Sequence, residues 1–191
     1  VIVPDHQGPK AAFFANKHAG QAILDGIRAA LQSKDITGID PHSAVCMWGY
    51  SGGGITTGWA AELQPTYAPE LEIAGAAMGG IEPNLQTSIG LVNSSPAAGL
   101  LASGMLGLAN EYPAVERILQ ENLKPEFEYL FERAKRQCLG AISRDFMNKD
   151  VIAMFENPDV TKRPEVVEIL KQNAMGQAVP KAPVFLYKGV F

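Results

Sequence analysis

The chain has 191 residues, 47% of them hydrophobic and 19% charged, and a formal net charge of −4 at pH 7. That is enough apolar material for one sizeable core, with room for a large insertion. The mild acidity and the lack of a basic stripe speak against nucleic acid as a partner, and no run of about 18 apolar residues exists to form a transmembrane segment. The two cysteines, Cys46 and Cys138, do not have the spacing of a metal site. They fit two buried thiols or bridges to residues elsewhere, and Cys46, inside an apolar run, reads as a small core residue.

In chain order, Val1-Ile2-Val3 reads as a short strand and Asp5-His6-Gln7-Gly8-Pro9 as a turn. A helix is expected over residues 11–31, with Phe13, Gly20, Ile23, Ile27 and Leu31 near one face. After a polar, turn-forming stretch at 33–41 comes a buried strand at 44–48. A helix follows at 55–63, with Ile55, Trp59 and Leu63 on one face, stopping before Pro65. A further strand is expected at 73–78, rich in small residues. Strand, helix, strand, helix, strand is the alternation of an α/β protein with a parallel sheet. In such sheets ligands sit at the carboxyl ends of the strands, where Asp5, Ser51 and Gly79 fall.

Beyond Gly79-Gly80 the texture changes. Residues 82–174 show helical periodicity with almost no strand signal. Residues 85–108 are apolar and rich in Gly, Ala and Ser, and helices are expected at 114–123 after Pro113, at 127–138, at 151–156, and at 164–173 opening on Pro164. About ninety residues without a strand is too long for one strand-to-helix connection, so this is read as a helical insertion folded over the functional edge of the sheet. The sheet resumes at Val184-Phe185-Leu186-Tyr187. The expected organisation is a first part of the core at 1–81, the insertion at 82–175, and a return to the sheet at 176–191. The chain opens and closes on strand-like runs and lacks an initiator Met, so it reads as an internal piece of a longer protein, truncated at both ends. The absence of a signal peptide then says nothing about compartment.

The chemistry centres on Val45-Cys46-Met47-Trp48-Gly49-Tyr50-Ser51-Gly52-Gly53-Gly54. This is G-x-S-x-G between a strand and a helix. In a nucleophile elbow the serine occupies a sharp, strained turn. Its neighbours two residues away, Gly49 and Gly53, are small because strand and helix backbones approach closely. The Ser51 hydroxyl would face a cleft, and the Gly52 N–H would point at a developing oxyanion. The bland alternative is a glycine-softened strand exit whose serine caps the helix. A serine nucleophile needs a base, yet His6, His18 and His42 all precede it, against the order Ser, acid, His. Asp5 follows the first strand, where an oxyanion-hole loop is expected. On its own residues it reads better as an Asx turn or a cap ahead of the first helix. Asn93-Ser94-Ser95 is a glycosylation sequon of little weight by itself. No phosphate loop, metal cluster or dinucleotide fingerprint appears.

Four stretches carry a more specific signal: 4–13 (PDHQGPKAAF), 22–29 (AILDGIRA), 49–53 (GYSGG) and 67–71 (YAPEL). With this D-H-x-G and G-Y-S-G-G pair the chain resembles the fungal secretory lipase family, of the Candida antarctica lipase A type, over essentially its whole length and least in the insertion. The resemblance implies an α/β-hydrolase fold with a large helical cap, and secreted hydrolysis of triacylglycerol or other lipid esters without metal or organic cofactor. It also implies possible contact of the cap with a lipid surface. It assigns Ser51 as nucleophile, Asp5 and Gly52 as the oxyanion hole, and Gly49, Tyr50 and Gly53 as the elbow. The catalytic aspartate would fall just past Phe191 and the histidine further on, so the 191 residues alone are expected to be inactive. A non-catalytic binding module on the same scaffold and another serine hydrolase, a peptidase or acyltransferase, are the competing functions.

Overall fold

The computed structural model describes residues 1–189; the last two residues of the expected return to the sheet, Val190 and Phe191, lie outside the described residues. The elements in order are α1 (Asn16–Leu31), α2 (Lys34–Thr37), β1 (Val45–Tyr50), α3 (Gly52–Tyr67), β2 (Ile73–Gly79), α4 (Leu85–Val92), α5 (Ala98–Glu111), α6 (Pro113–Asn122), α7 (Pro125–Ala134), α8 (Leu139–Phe146), α9 (Pro164–Gln172) and β3 (Val184–Tyr187). Short 3-10 turns at Ile152–Met154 and Val160–Lys162 precede α9. The chain divides into two compact units. The first holds residues 1–8, 16–83 and 174–189; the second holds Pro9–Ala15 and Asn84–Asn173.

The first unit is built on a parallel sheet in the order β1-β2-β3. Along β1, Met47 and Gly49 are buried while Cys46, Trp48 and Tyr50 are exposed. Successive side chains of a strand point to opposite faces. One face meets α3, against which α1 packs in turn, and Leu24, Met47, Ala60, Ala61, Leu71 and Ala76 form the core there. The other face carries Trp48, Tyr50, Phe185 and Tyr187. Cys46 belongs to this second face and is exposed, contrary to the core role expected for it.

Three further expectations are corrected here. Residues 1–3 form no strand: Val1, Ile2 and Val3 are exposed coil, since apolar β-branched side chains alone make no strand without a ladder partner. The helix expected over 11–31 starts only at Asn16, because the chain at 9–15 is irregular and belongs to the other unit. Helix α3 begins three residues earlier than expected and runs through Pro65, which sits in its last turn. There the buried Gln64 side chain donates to the carbonyls of Ala68 (3.1 Å) and Leu71 (2.8 Å) and ties down the exit of the helix.

Two polar devices hold the first unit together. Arg28 of α1 donates to Asp25 (2.7 Å), to the Tyr67 carbonyl (2.7 Å) and to Glu70, and its guanidinium lies over the Tyr67 ring. The Tyr67 hydroxyl donates back to Asp25 (2.9 Å). The second device is Glu62, a buried carboxylate of α3 that accepts the backbone N–H groups of Gly176 (2.7 Å), Gln177 (2.8 Å) and Ala178 (3.2 Å). It anchors the chain on its way to β3.

The second unit is helical. Its core gathers Leu101, Met105, Leu108, Ile118, Phe131, Phe146, Phe155 and others around α5. The Gly/Ala/Ser richness of α5 has a packing reason: a Cβ at Gly99 would lie 2.5 Å from the Ser143 backbone of α8, and one at Gly107 would lie 2.3 Å from the Phe13 carbonyl oxygen. Helices α6, α7 and α9 each open on proline, whose missing N–H is surplus in a first turn. The loops are stitched by Asn93. Its Nδ2 donates to Asp150 (2.8 Å) and its Oδ1 accepts the Val151 N–H (2.8 Å), so the sequon amide serves as a clip. Among the described residues, no helix is long and apolar enough to cross a membrane.

Replacing Glu62 by Ala orphans three backbone donors, and is expected to cost about 3 kcal/mol of stability, measured by urea denaturation. The hydrogen bond from Arg28 holds the Glu70 carboxyl below its ordinary value of 4.5. A depressed folded value means stability that is fully present above the ordinary value and lost as pH falls through the lower one. The Tm advantage of the parent over Glu70→Gln is therefore expected at neutral pH and should shrink steadily below pH 4.5.

Candidate active site

The apolar run of β1 ends at Gly49-Tyr50, and α3 begins at Gly52, leaving one residue to reverse the chain. That residue, Ser51, has φ 54° and ψ −122°. A non-glycine residue held at such angles costs on the order of 1–3 kcal/mol, and it persists only where the surroundings over-determine it. They do so here. The Ser51 N–H donates to the Gly79 carbonyl at the end of β2 (2.8 Å), and its own carbonyl accepts the Ile55 N–H from the first turn of α3 (3.0 Å).

Steric fit closes the turn. A Cβ on Gly49 would fall 2.1 Å from the Gly53 carbonyl oxygen, so strand and helix backbones touch across the serine. A Cβ on Gly54 would meet Ile81 at 2.7 Å and the Gly79 carbonyl at 2.9 Å. Gly53 itself has open space where a Cβ would go. The expectation that Gly53 had to be small is therefore corrected: its backbone, not its missing side chain, makes the contact. The second sterically forced glycine is Gly54, visible in the sequence only as the third of a triplet.

The Ser51 side chain makes no capping bond to α3, although it occupies the cap position. The bland reading of a capping serine fails, and the hydroxyl is left exposed at the carboxyl end of the sheet. The first N–H groups of a helix have no intrahelical partner and carry the positive end of its dipole. Gly52, half-buried, offers such an N–H one residue from the serine. Tyr50 is 61% exposed and its ring lies where a Cβ on Gly80 would sit 2.7 Å from it.

Gly49, Ser51, Gly52, Gly53, Gly54 and Gly79 thus form one knot of backbone. Asp5 lies in the loop ahead of α1, where its Oδ1 accepts the N–H groups of Gln7 (3.2 Å) and Gly8 (3.1 Å). This is an Asx turn, and Pro4 packs beside Gly26 of α1. Of the histidines, His18 is exposed on α1. His42 is exposed in a turn before β1, and His6 is half-buried beside Asp5. Among the described residues no group of three or more His, Cys, Asp or Glu side chains gathers as a metal site would require.

Comparison with known proteins gives a consistent picture. The chain is 44% identical over 193 residues to "Lipase A" of Arthroderma benhamiae, covering all of this chain and 41% of that protein. It is 35% identical to "Probable inactive lipase MT1628" of Mycobacterium tuberculosis, covering all of this chain and 43% of that one. The crystal structure of Candida antarctica lipase A superposes with a TM-score of 0.88 at 32% identity, covering 96% of this chain and 44% of that one. The chain spans about two fifths of the length of the curated relatives it matches. The fold is of the α/β-hydrolase type. The family model described as secretory lipase matches residues 1–191, and the chain belongs to that family.

Proposed function

We propose that this chain carries the nucleophile of a secreted serine ester hydrolase that acts on triacylglycerol or related lipid esters. The observation that carries the reading is Ser51: a strained, exposed hydroxyl, unused by the helix it precedes, on a turn closed by Gly49 and Gly54. In this mechanism Ser51 Oγ attacks the ester carbonyl as a base takes its proton. The tetrahedral oxyanion is met by the main-chain N–H of Gly52 and that of Asp5, the alcohol leaves, and water hydrolyses the acyl-enzyme. The Asx turn supports the Asp5 assignment. With Oδ1 held by the Gln7 and Gly8 N–H groups, the carboxylate is occupied within its own loop while the main-chain N–H is a separate group.

The base and the carboxylate that orients it are assigned to residues beyond 191, since His6, His18 and His42 do not follow the serine in the chain. Residues 1–191 alone would then bind ester without turning it over. The helical unit is assigned as the cap, and its outward-facing Leu91 and Tyr129 are the side chains offered to a lipid surface. A second reading, a scaffold that binds lipid without catalysis, is favoured by one observation: a relative of similar identity bears the name of an inactive lipase.

The full-length protein decides between them. Assayed on nitrophenyl esters of graded chain length and on emulsified triacylglycerol, it is expected to turn over substrate. Ser51→Ala is expected to lose about 10⁴-fold or more in kcat with the fold intact. Turnover that survives Ser51→Ala would remove the serine from the chemistry, and binding without turnover in the parent would favour the scaffold reading. Gly49→Ala, which drives a methyl into the Gly53 carbonyl, is expected to abolish activity together with native stability, seen as a loss of the thermal transition.

A further inference from the structure

The strained serine is held between two carbonyl-bearing strand ends, and one side chain touches both. In the parallel register Tyr50 stands opposite Gly79, and Gly79 opposite Tyr187. The Tyr187 ring leans from β3 across β2: a Cβ on Gly79 would lie 2.1 Å from it, so the ring fills the side-chain space that Gly79 leaves empty. The ring continues to β1. There the Tyr187 hydroxyl accepts the Trp48 indole N–H (2.7 Å) and donates to the Gly49 carbonyl (3.4 Å). Main chain adds a further tie, from the Gly80 N–H to the Tyr187 carbonyl (3.3 Å).

We propose that Tyr187 is a positioning residue for Ser51: it clamps Gly49, two residues before the serine, and Gly79, whose carbonyl takes the Ser51 N–H. This inference rests on the reading of Ser51 as a nucleophile.

Two features separate this role from ordinary stabilisation. Within residues 1–189 Trp48 is 74% exposed, so there its indole N–H would find water if Tyr187 were absent. A hydrogen bond whose partners are otherwise solvated adds little net stability. What the bond does add is a fixed distance between β3 and the end of β1. The second feature is strain. Ser51 keeps φ 54° only while its neighbours over-determine it, and the hydroxyl of Tyr187 supplies a constraint on the strand side that Gly79 and Ile55 do not. Small residues beneath make the span possible: β2 presents Gly75, Ala77 and Gly79 on this face, so an aromatic ring can cross it.

The test uses the full-length protein and three variants: Tyr187→Phe, Trp48→Phe and the double substitution. The readouts are kcat and KM on a short nitrophenyl ester, the rate at which a fluorophosphonate modifies Ser51, and Tm. Tyr187→Phe keeps the ring on Gly79 and drops the hydroxyl, and with it both the bond to the Gly49 carbonyl and the bond from the Trp48 indole. It is expected to lower kcat and the phosphonylation rate by roughly three- to tenfold, as small displacements of a reacting group do, with KM and Tm unchanged. Trp48→Phe, at an exposed position, is expected to act in the same direction, and the double variant to be no worse than Tyr187→Phe because the two share one bond. Tyr187→Phe with parental kcat and phosphonylation rate, or losses that simply follow a fall in Tm in both single variants, would overturn the inference. A parent protein that the phosphonate leaves unmodified at Ser51 would overturn both the nucleophile reading and this one.

Discussion

Everything in the first unit hangs on the approach of two backbones, Gly49 and Gly53, on either side of one residue. The contact is so close that no Cβ fits on the strand side, and it forces Ser51 to reverse the chain alone at a positive φ. Strain of that kind has to be balanced by bonds that form only in the strained geometry. The Ser51 N–H to Gly79 bond and the Ile55 N–H to Ser51 bond are of this type. Both tie the turn to elements that are themselves fixed, the end of β2 and the first turn of α3. The hydroxyl takes no part, and that division is the chemical point. Backbone groups hold the residue, so the side chain takes no part in holding the turn.

The sheet that carries the turn is two-faced. Helix α3 covers one side, while Trp48, Tyr50, Phe185 and Tyr187 line the other. Parallel sheets are ordinarily covered on both faces, and this explains how the sequence misleads at Cys46. A run such as Val45-Cys46-Met47-Trp48 reads as uniformly buried because neither side is polar, yet in the structure Met47 is buried while Cys46 and Trp48 are exposed. Among the described residues nothing covers the second face, and the strand's composition carries no mark of that.

What could be read from the residues follows a physical rule. Strand β3 was legible to the residue, since Pro180 and Pro183 precede a four-residue apolar run that Lys188-Gly189 closes. The starts of α6 and α9 were legible because proline marks a first turn. Helix α8, by contrast, carries no such mark: eight residues long and preceded by a loop without proline or glycine punctuation, it is fixed by Ile142 and Phe146 entering the core. Residues 1–3 had strand-like chemistry and no partner. Pro65 marks a stop by sequence, yet α3 absorbs it in its last turn, and Gln64 donates to the Ala68 and Leu71 carbonyls just beyond the helix. At the site, Ser51 and Gly49 were evident from the motif. Gly54 and Tyr187 were not, because their roles depend on which strand lies beside which. Register is a property of the pairing, set by the patterns of both strands together with their connection, so one segment alone does not fix it.

Asp5 shows how a bland reading and a functional one can hold together. An Asx turn and an oxyanion role do not exclude one another. The two use different atoms. The turn engages Oδ1, which accepts from Gln7 and Gly8, whereas the proposed role needs only the main-chain N–H. A carboxylate near a developing negative charge is unfavourable when it is loose. Held within its own loop by two main-chain donors, it is fixed in direction, and the same two bonds stiffen the backbone that would present the N–H. The residue type that looks wrong for an oxyanion loop is one of the few that can rigidify such a loop from within, so the Asx turn is the means by which the proposed donor is kept in place.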